Sequence, residues 1–149
     1  MIGLIGTEGA CAEWTFPAAL DAVRDARHAV YDTLSAWGAP PATRDMAVLL
    51  VSELVTNSLR YAAGPIGVRM AVHALAPSPG GPGDSGAAQP AALLVEVSDP
   101  LPDVPTERPA GPDDEGGRGL HLVACSARRW GTRRGKTGKT VWFELPLPG

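Results

Sequence analysis

Two hydrophobic periods divide the chain, and they constrain its fold more than any other feature. Between residues 18 and 62, apolar side chains recur every three or four positions, a spacing that predicts amphipathic helices. From residue 66 they recur at every second position, which predicts strands with one buried face. Helices followed by one-faced strands predict an α+β fold. We expect a two-layer sandwich in which helices cover one face of a mixed, mainly antiparallel sheet.

The predicted elements follow the order β-α-α-β-β-α-β-β, and no internal repeat is visible. Gly38 ends the first helix, and the Gly64-Pro65 pair ends the second. The last two strands form a hairpin. The elements are predicted at 14–16, 18–37, 43–62, 66–74, 92–98, 120–129, 130–134 and 139–145.

Length and composition limit the class of protein. The chain has 149 residues, of which 44% are hydrophobic, so we expect one domain over 1–149 with a buried core. A net charge of −3 argues against direct nucleic-acid binding. No apolar run approaches the roughly 18 residues of a membrane helix, and residues 1–6 lack the basic start of a signal peptide. We therefore predict a cytoplasmic protein in which Cys11 and Cys125 are reduced thiols.

Glycine and proline are abundant, with 18 and 15 residues, and nine of the prolines fall in two stretches. Residues 77–90 carry no hydrophobic period and are predicted to form a flexible hairpin loop. Residues 99–119 contain six acidic residues and end in a glycine-rich sequence. This second stretch separates two of the polar motifs described below.

Polar side chains interrupt the apolar stripe of the second predicted helix. The stripe includes Met46, Leu49 and Leu50, and it continues to Glu53 and Asn57. Burying these two side chains unpaired would cost several kcal/mol, so we expect the stripe to open onto a polar cleft. The alternative is structural, with Asn57 capping a neighbouring loop and Glu53 pairing with Arg60, seven residues later.

Two further polar motifs follow the strand predicted at 92–98. Asp99 shares the parity of Leu93, Val95 and Val97 and should therefore point towards the core. Its carboxylate can accept a hydrogen bond from an exocyclic amine or a loop N–H, or it can form a turn before Pro100. The sequence 115–120 (EGGRGL) precedes a helix, a combination that suits phosphate binding, although glycines also simply form turns.

A third glycine-containing segment is not a phosphate-binding loop. Residues 135–140 (GKTGKT) contain Gly-Lys-Thr twice, like the end of a P-loop. That motif requires glycine five residues before the glycine of Gly-Lys-Thr, where this chain has Trp130 and Arg133. It also requires a following helix, and here a strand is predicted.

Three of these features together resemble the ATP-binding domain of the gyrase, Hsp90, histidine-kinase and MutL superfamily. They are the polar positions of the second helix, Asp99 and the glycine-rich sequence 115–120. Ser52–Ala62 (SELVTNSLRYA) resembles its N-box, and Val97–Asp99 its first G-box. Gly117–Leu120 resembles the second G-box, and Lys139–Phe143 the closing strand. Their order extends over nearly the whole chain, and the resemblance implies a Bergerat-type ATP-binding fold.

The resemblance implies a role for each motif. Asn57 would ligate Mg²⁺, and Glu53 would be the general base for an attacking hydroxyl or water. Asp99 would accept a hydrogen bond from the adenine amine, and Thr140 would support adenine directly or through water. Residues 100–119 would be the ATP lid. The remaining nucleotide-binding residues would be Gly117, Gly119 and Leu120 of the second G-box, with Arg118 and Arg60 offsetting phosphate charge.

Two positions depart from the family pattern. Pro100-Leu101-Pro102 stands where the first G-box normally carries glycines, which predicts a stiffer adenine loop. Thr140 shares parity with Trp142 and Glu144, whereas the core set is on the other parity, so only a bulge would turn Thr140 inwards.

The resemblance is closest to stand-alone anti-sigma factors that are also serine-protein kinases. None of the three histidines lies in a phosphoacceptor helix pair, and 149 residues leave no room for the further domains of gyrase, Hsp90 or MutL. The implied activity is transfer of phosphate from ATP-Mg²⁺ to Ser or Thr of an anti-sigma-factor antagonist. The implied partners are that antagonist and a sigma factor, with a homodimer as the expected assembly.

The alternative is a partner-binding module in which nucleotide only orders the lid. The missing glycines of the first G-box favour this alternative. The basic segment 128–139, with six of the thirteen Lys and Arg residues, offers a partner surface, although a solvated hairpin is the simpler explanation.

Overall fold

The computed structural model describes residues 10–61, 64–74, 91–100, 122–135 and 138–147. They form five strands and two long helices, and residues 122–126 are also helical. The predicted loop at 77–90 and the predicted lid, apart from Pro100, lie outside these residues. The elements are β1 (Cys11–Phe16), α1 (Asp21–Ala36), α2 (Pro41–Tyr61), β2 (Ile66–Ala74), β3 (Ala91–Asp99), β4 (Arg129–Arg134) and β5 (Lys139–Leu147).

The strands form one sheet in the order β1-β2-β3-β5-β4, and every pairing between these described strands is antiparallel. Both long helices cover the same face, since α2 contacts β3 and β5 while α1 contacts α2 and β1. The α+β prediction is confirmed. The parallel component implied by a mixed sheet does not occur among the described strands.

A glycine in the left-handed conformation ends α1, as predicted. Gly38 has φ of 80°, which suits the one residue type without a Cβ atom. Its N–H donates to the carbonyl of Ser35, and the N–H of Ala39 donates to that of Leu34. This pair of bonds is a Schellman motif, and it turns the chain towards α2.

The buried faces of the helices differ in part from the predicted stripes. Leu20 precedes α1 and is 91% exposed, and Leu49 on α2 is 42% exposed. Residues 46–51 (MAVLLV) are all apolar, so hydrophobic periodicity fits more than one rotation of this helix about its axis. The residues of α2 that enter the core are Ala47, Leu50, Val51, Leu54 and Val55.

Two further expectations concern sequence features outside the core. Neither long helix of the described chain is both long and apolar enough to span a bilayer. Cys11 and Cys125, which both lie within the described residues, are not joined by a disulfide.

Ion pairs cross the outer face of the sheet, away from the helices. Glu96 on β3 accepts hydrogen bonds from Arg69 on β2, at 3.1 Å, and from Arg133 on β4, at 2.6 Å. Arg128 donates to Glu144 at 2.9 Å. Burial raises the pKa of Glu96, but the two arginines outweigh that effect and hold the pKa below its ordinary value of 4.5. Two arginines of the basic segment 128–139 therefore pair within the chain.

We predict that Glu96→Gln lowers the free energy of unfolding by about 1 kcal/mol at pH 7, because two half-exposed arginines lose their charged partner. The folded-state pKa of Glu96 is depressed, so its contribution is present above pH 4.5 and is lost as the pH falls through the folded-state value. Urea unfolding of both proteins between pH 3 and 7 measures this difference. Glu13→Gln on β1, where the side chain is exposed, is the control. A difference that does not change with pH would contradict the prediction.

Candidate functional site

A buried hydrogen bond joins α2 to the end of β3. The Oγ of Ser58 donates to Oδ2 of Asp99 at 3.0 Å, although the two residues are 41 positions apart. Ser58 is 6% exposed and Asp99 is 5% exposed. The predicted inward direction of Asp99 is therefore confirmed. The residue of α2 that contacts Asp99 is Ser58, which the sequence motifs did not identify as a site residue.

Ser58 carries a signal in the sequence that depends on the correct rotation of α2. It lies seven residues after Val51, four after Leu54 and three after Val55, all of which are buried. These spacings place it on the same helix face. The predicted apolar stripe passed through Leu49, which is on a different face of α2. Ser58 was therefore not identified as a residue that points towards the sheet.

Glu53 and Asn57 lie at the flank of α2. Both side chains are half-buried, and they are separated by about one helical turn. They therefore border the core rather than occupy it, and no unpaired carboxylate is forced into the apolar layer. Arg60, the next predicted site residue along the helix, is exposed. Asn57 directly precedes Ser58, whose hydrogen bond to Asp99 places this end of α2 beside the end of β3.

The backbone after Asp99 is packed closely against two glycines. A Cβ atom at Gly64 would lie 2.5 Å from Cγ of Pro100. A Cβ atom at Gly138 would collide with the carbonyl oxygen of Asp99. The chain after α2 and the β4–β5 hairpin thus both approach the Asp99-Pro100 corner where only glycine leaves room. The proline in the first G-box is accommodated by a glycine elsewhere in the chain.

A pocket of about 550 Å³ opens at this corner of the sheet. Asp99 is one of its lining residues, and three of the others are basic. The lining residues are Ser98, Asp99, Arg133, Arg134, Gly135, Gly138, Lys139 and Thr140.

Thr140 faces away from the helices. The pairing of β3 with β5 continues without a bulge, with Ser98 opposite Thr140 and Asp99 opposite Lys139. The hydroxyl groups of Ser98 and Thr140 lie 2.7 Å apart on the outer face, whereas Asp99 is on the inner face. The adenine contact predicted for Thr140 would require its side chain on the inner face, and this register does not place it there.

The described residues include one of the two remaining predicted glycine-containing motifs in part. Residues 135 and 138 close the β4–β5 hairpin, since Gly135 N–H donates to the carbonyl of Gly138 at 2.8 Å. Strand β5 follows, so the interpretation of 135–140 as a hairpin and not a P-loop is confirmed. The second G-box residues Gly117, Arg118, Gly119 and Leu120 lie outside the described residues and stay predictions.

Comparison with known proteins identifies a family and a similar fold. The model of the histidine kinase-like ATPase domain matches residues 16–145. The solved structure of the RsbU and RsbW domains of Rv1364c from Mycobacterium tuberculosis is similar, with a TM-score of 0.64 and 18% sequence identity. The match covers 93% of this chain and 33% of that one, so this chain spans about a third of its length. No curated protein matches the chain.

We predict that Gly64→Ala lowers the free energy of unfolding by about 1–3 kcal/mol, because the new methyl group must displace the ring of Pro100. The double variant Gly64→Ala with Pro100→Gly removes that ring and should recover part of the loss. Urea unfolding of the single and double variants measures both effects. Gly67→Ala on β2 is the matched control, since the nearest atoms to its Cβ would be 3.9 Å away. Equal losses for Gly64→Ala and Gly67→Ala would contradict the assigned contact.

Proposed function

Because the chain belongs to the histidine kinase-like ATPase domain family, we propose that it is an anti-sigma factor with protein kinase activity. It binds ATP with Mg²⁺ and transfers phosphate to Ser or Thr of an anti-sigma-factor antagonist. The observation that carries this proposal is the buried contact between Ser58 and Asp99. It brings the N-box helix, with Asn57 and Glu53 on its flank, to the strand end that carries the first G-box.

The side chains at the corner suit a nucleotide. Asp99 is a buried hydrogen-bond acceptor, as an exocyclic amine requires. Arg134 and Lys139 line the adjoining pocket, where positive charge favours a polyanion. The buried carboxylate of Asp99 would therefore bind the base, and the basic residues of the adjoining pocket would attract the phosphates.

The donor set on α2 suits Mg²⁺ bound through a nucleotide. Mg²⁺ prefers oxygen ligands and is commonly held by one or two protein groups together with substrate phosphates. Asn57 offers a carboxamide oxygen at a half-buried position. A nucleotide would supply the remaining oxygen ligands.

Glu53 is the proposed general base. When bound, ATP-Mg²⁺ supplies the phosphoryl group and the charge neutralisation that its transfer needs. The carboxylate of Glu53 takes the proton of the attacking Ser or Thr hydroxyl as the new P–O bond forms and the bond to ADP breaks. Its half-buried position on α2 leaves it accessible to an incoming protein segment.

The proposed partners follow from the resemblance to stand-alone anti-sigma factors. The similar solved structure contains an RsbW domain, and 18% identity supports the fold rather than a partner. We propose a sigma factor and its antagonist as partners, a homodimer as the assembly and the cytoplasm as the compartment. Arg60, Arg118 and the glycines of the second G-box are proposed to bind the phosphates, as predicted from the sequence.

A nucleotide-dependent binding module is the second candidate. The close contact between Gly64 and Pro100 supports the nucleotide binding that such a module needs, because a proline-stiffened corner loses less conformational entropy when a ligand binds. The two candidates differ in chemistry at Glu53 and agree on binding at Asp99.

We predict that Glu53→Gln lowers phosphate transfer to a candidate antagonist by roughly 10²–10⁴-fold, because the amide cannot accept the hydroxyl proton. The dissociation constant for ATP should change less than twofold. Transfer is followed with radiolabelled ATP, and Asp45→Asn, an exposed carboxylate on the same helix, is the control. Equal transfer by wild type and Glu53→Gln would remove Glu53 from the mechanism. Binding of ATP without transfer to any genomic neighbour would favour the binding module.

We also predict that Asp99→Asn weakens ATP binding by at least tenfold, because it replaces a charged acceptor with an amide. Isothermal titration of wild type with ATP in the presence of Mg²⁺ provides the reference. The matched carboxylate control is again Asp45→Asn. Absence of ATP binding by wild type would overturn both candidate functions.

A further inference from the structure

We propose that Ser58 is a positioning residue for Asp99 and thereby contributes to selection of adenine. This inference rests on the proposed function, in which Asp99 accepts a hydrogen bond from the adenine amine. It assigns to Ser58 a role in nucleotide binding that acts through another residue, without contact between Ser58 and the nucleotide.

The geometry restricts what the hydroxyl group can do. Ser58 Oγ has one hydrogen to donate, and at 3.0 Å it is directed to Oδ2 of Asp99. Both residues are almost completely buried. One is held by a packed helix and the other by the central part of the sheet, since β3 pairs with β2 on one side and β5 on the other. The bond therefore ties the carboxylate to both layers of the fold.

An aspartate needs such a restraint to recognise a base. The rotation of its carboxylate group about the last side-chain bond is broad, so the backbone of β3 alone does not define the plane of the two oxygens. A hydrogen bond from an amine weakens steeply when the acceptor is misaligned. By directing Oδ2 towards the helix, Ser58 sets the orientation of the whole carboxylate group.

A purely structural role for Ser58 predicts a different pattern of losses. Replacing Ser58 by Ala removes a donor from a buried carboxylate and destabilises the protein whether or not Asp99 binds a base. A positioning role adds a loss that depends on the ligand. That loss appears only with a nucleotide whose base carries the amine.

The experiment compares two nucleotides that differ in the amine alone. ATP and purine riboside triphosphate, which lacks the 6-amino group, are titrated with Mg²⁺ into the full-length wild type and Ser58→Ala. Wild type is expected to bind ATP about tenfold more tightly than the analogue, and Ser58→Ala to reduce this preference to about twofold or less. Ser35→Ala, which removes a serine hydroxyl bonded to Arg44 at the other end of α2 from Ser58, is the matched control and should retain the wild-type preference.

Each outcome decides a separate point. An equal loss for both nucleotides in Ser58→Ala, or an unchanged preference, overturns the positioning role while leaving the proposed function in place. Absence of ATP binding by wild type overturns the proposed function and this inference with it. If Ser58→Ala does not fold, as judged by circular dichroism, Ser58→Cys retains the size of the side chain with a weaker donor. The same reduction in preference is then expected, and its absence overturns the inference.

Discussion

The burial of one face of α2 against β3 and β5 is the contact on which the candidate site depends. Leu50 and Leu54 are almost completely buried in it, and burial of each side chain contributes about 1.5–3 kcal/mol. This packing sets the rotation of the helix, and the rotation directs Ser58 at Asp99. A change of one residue, about 100°, would carry Asn57 towards the core and remove Ser58 from the end of β3. The packing of the core therefore also determines the polar geometry of the site.

Much of the fold was predictable because the pattern of burial is local. The alternation over Ile66–Ala74 gave the bounds of β2, and Gly38 marked the end of α1. The rotation of α2 was not predictable by the same means. In the run 46–51 every residue is apolar, so periodicity alone leaves several faces open, and the sheet decides which one is buried. The omission of Ser58 follows from that single ambiguity.

Side-chain parity along the strands was sufficient to predict the direction of two site residues. Parity directed Asp99 inwards and Thr140 outwards, and the unbroken register of β3 with β5 agrees with both. The hydrogen bond between the hydroxyl groups of Ser98 and Thr140 could not be predicted from the sequence, since it joins residues 42 positions apart. The same holds for Arg133, whose partner Glu96 is on a strand that is not its neighbour. A basic segment in the sequence therefore overstates the positive charge that the folded surface offers to a partner.

Pro100 links the departure from the family pattern to the affinity for a nucleotide. A proline restricts its own backbone, and its ring is confined further by the close approach of Gly64. A corner ordered before binding loses less conformational entropy when a ligand is bound, which favours affinity. That effect acts on Asp99 and on base recognition. It does not act on Glu53, which belongs to α2 and is held by the core. The proline therefore bears on how tightly a nucleotide is held, while the distinction between kinase and binding module rests on the carboxylate of Glu53.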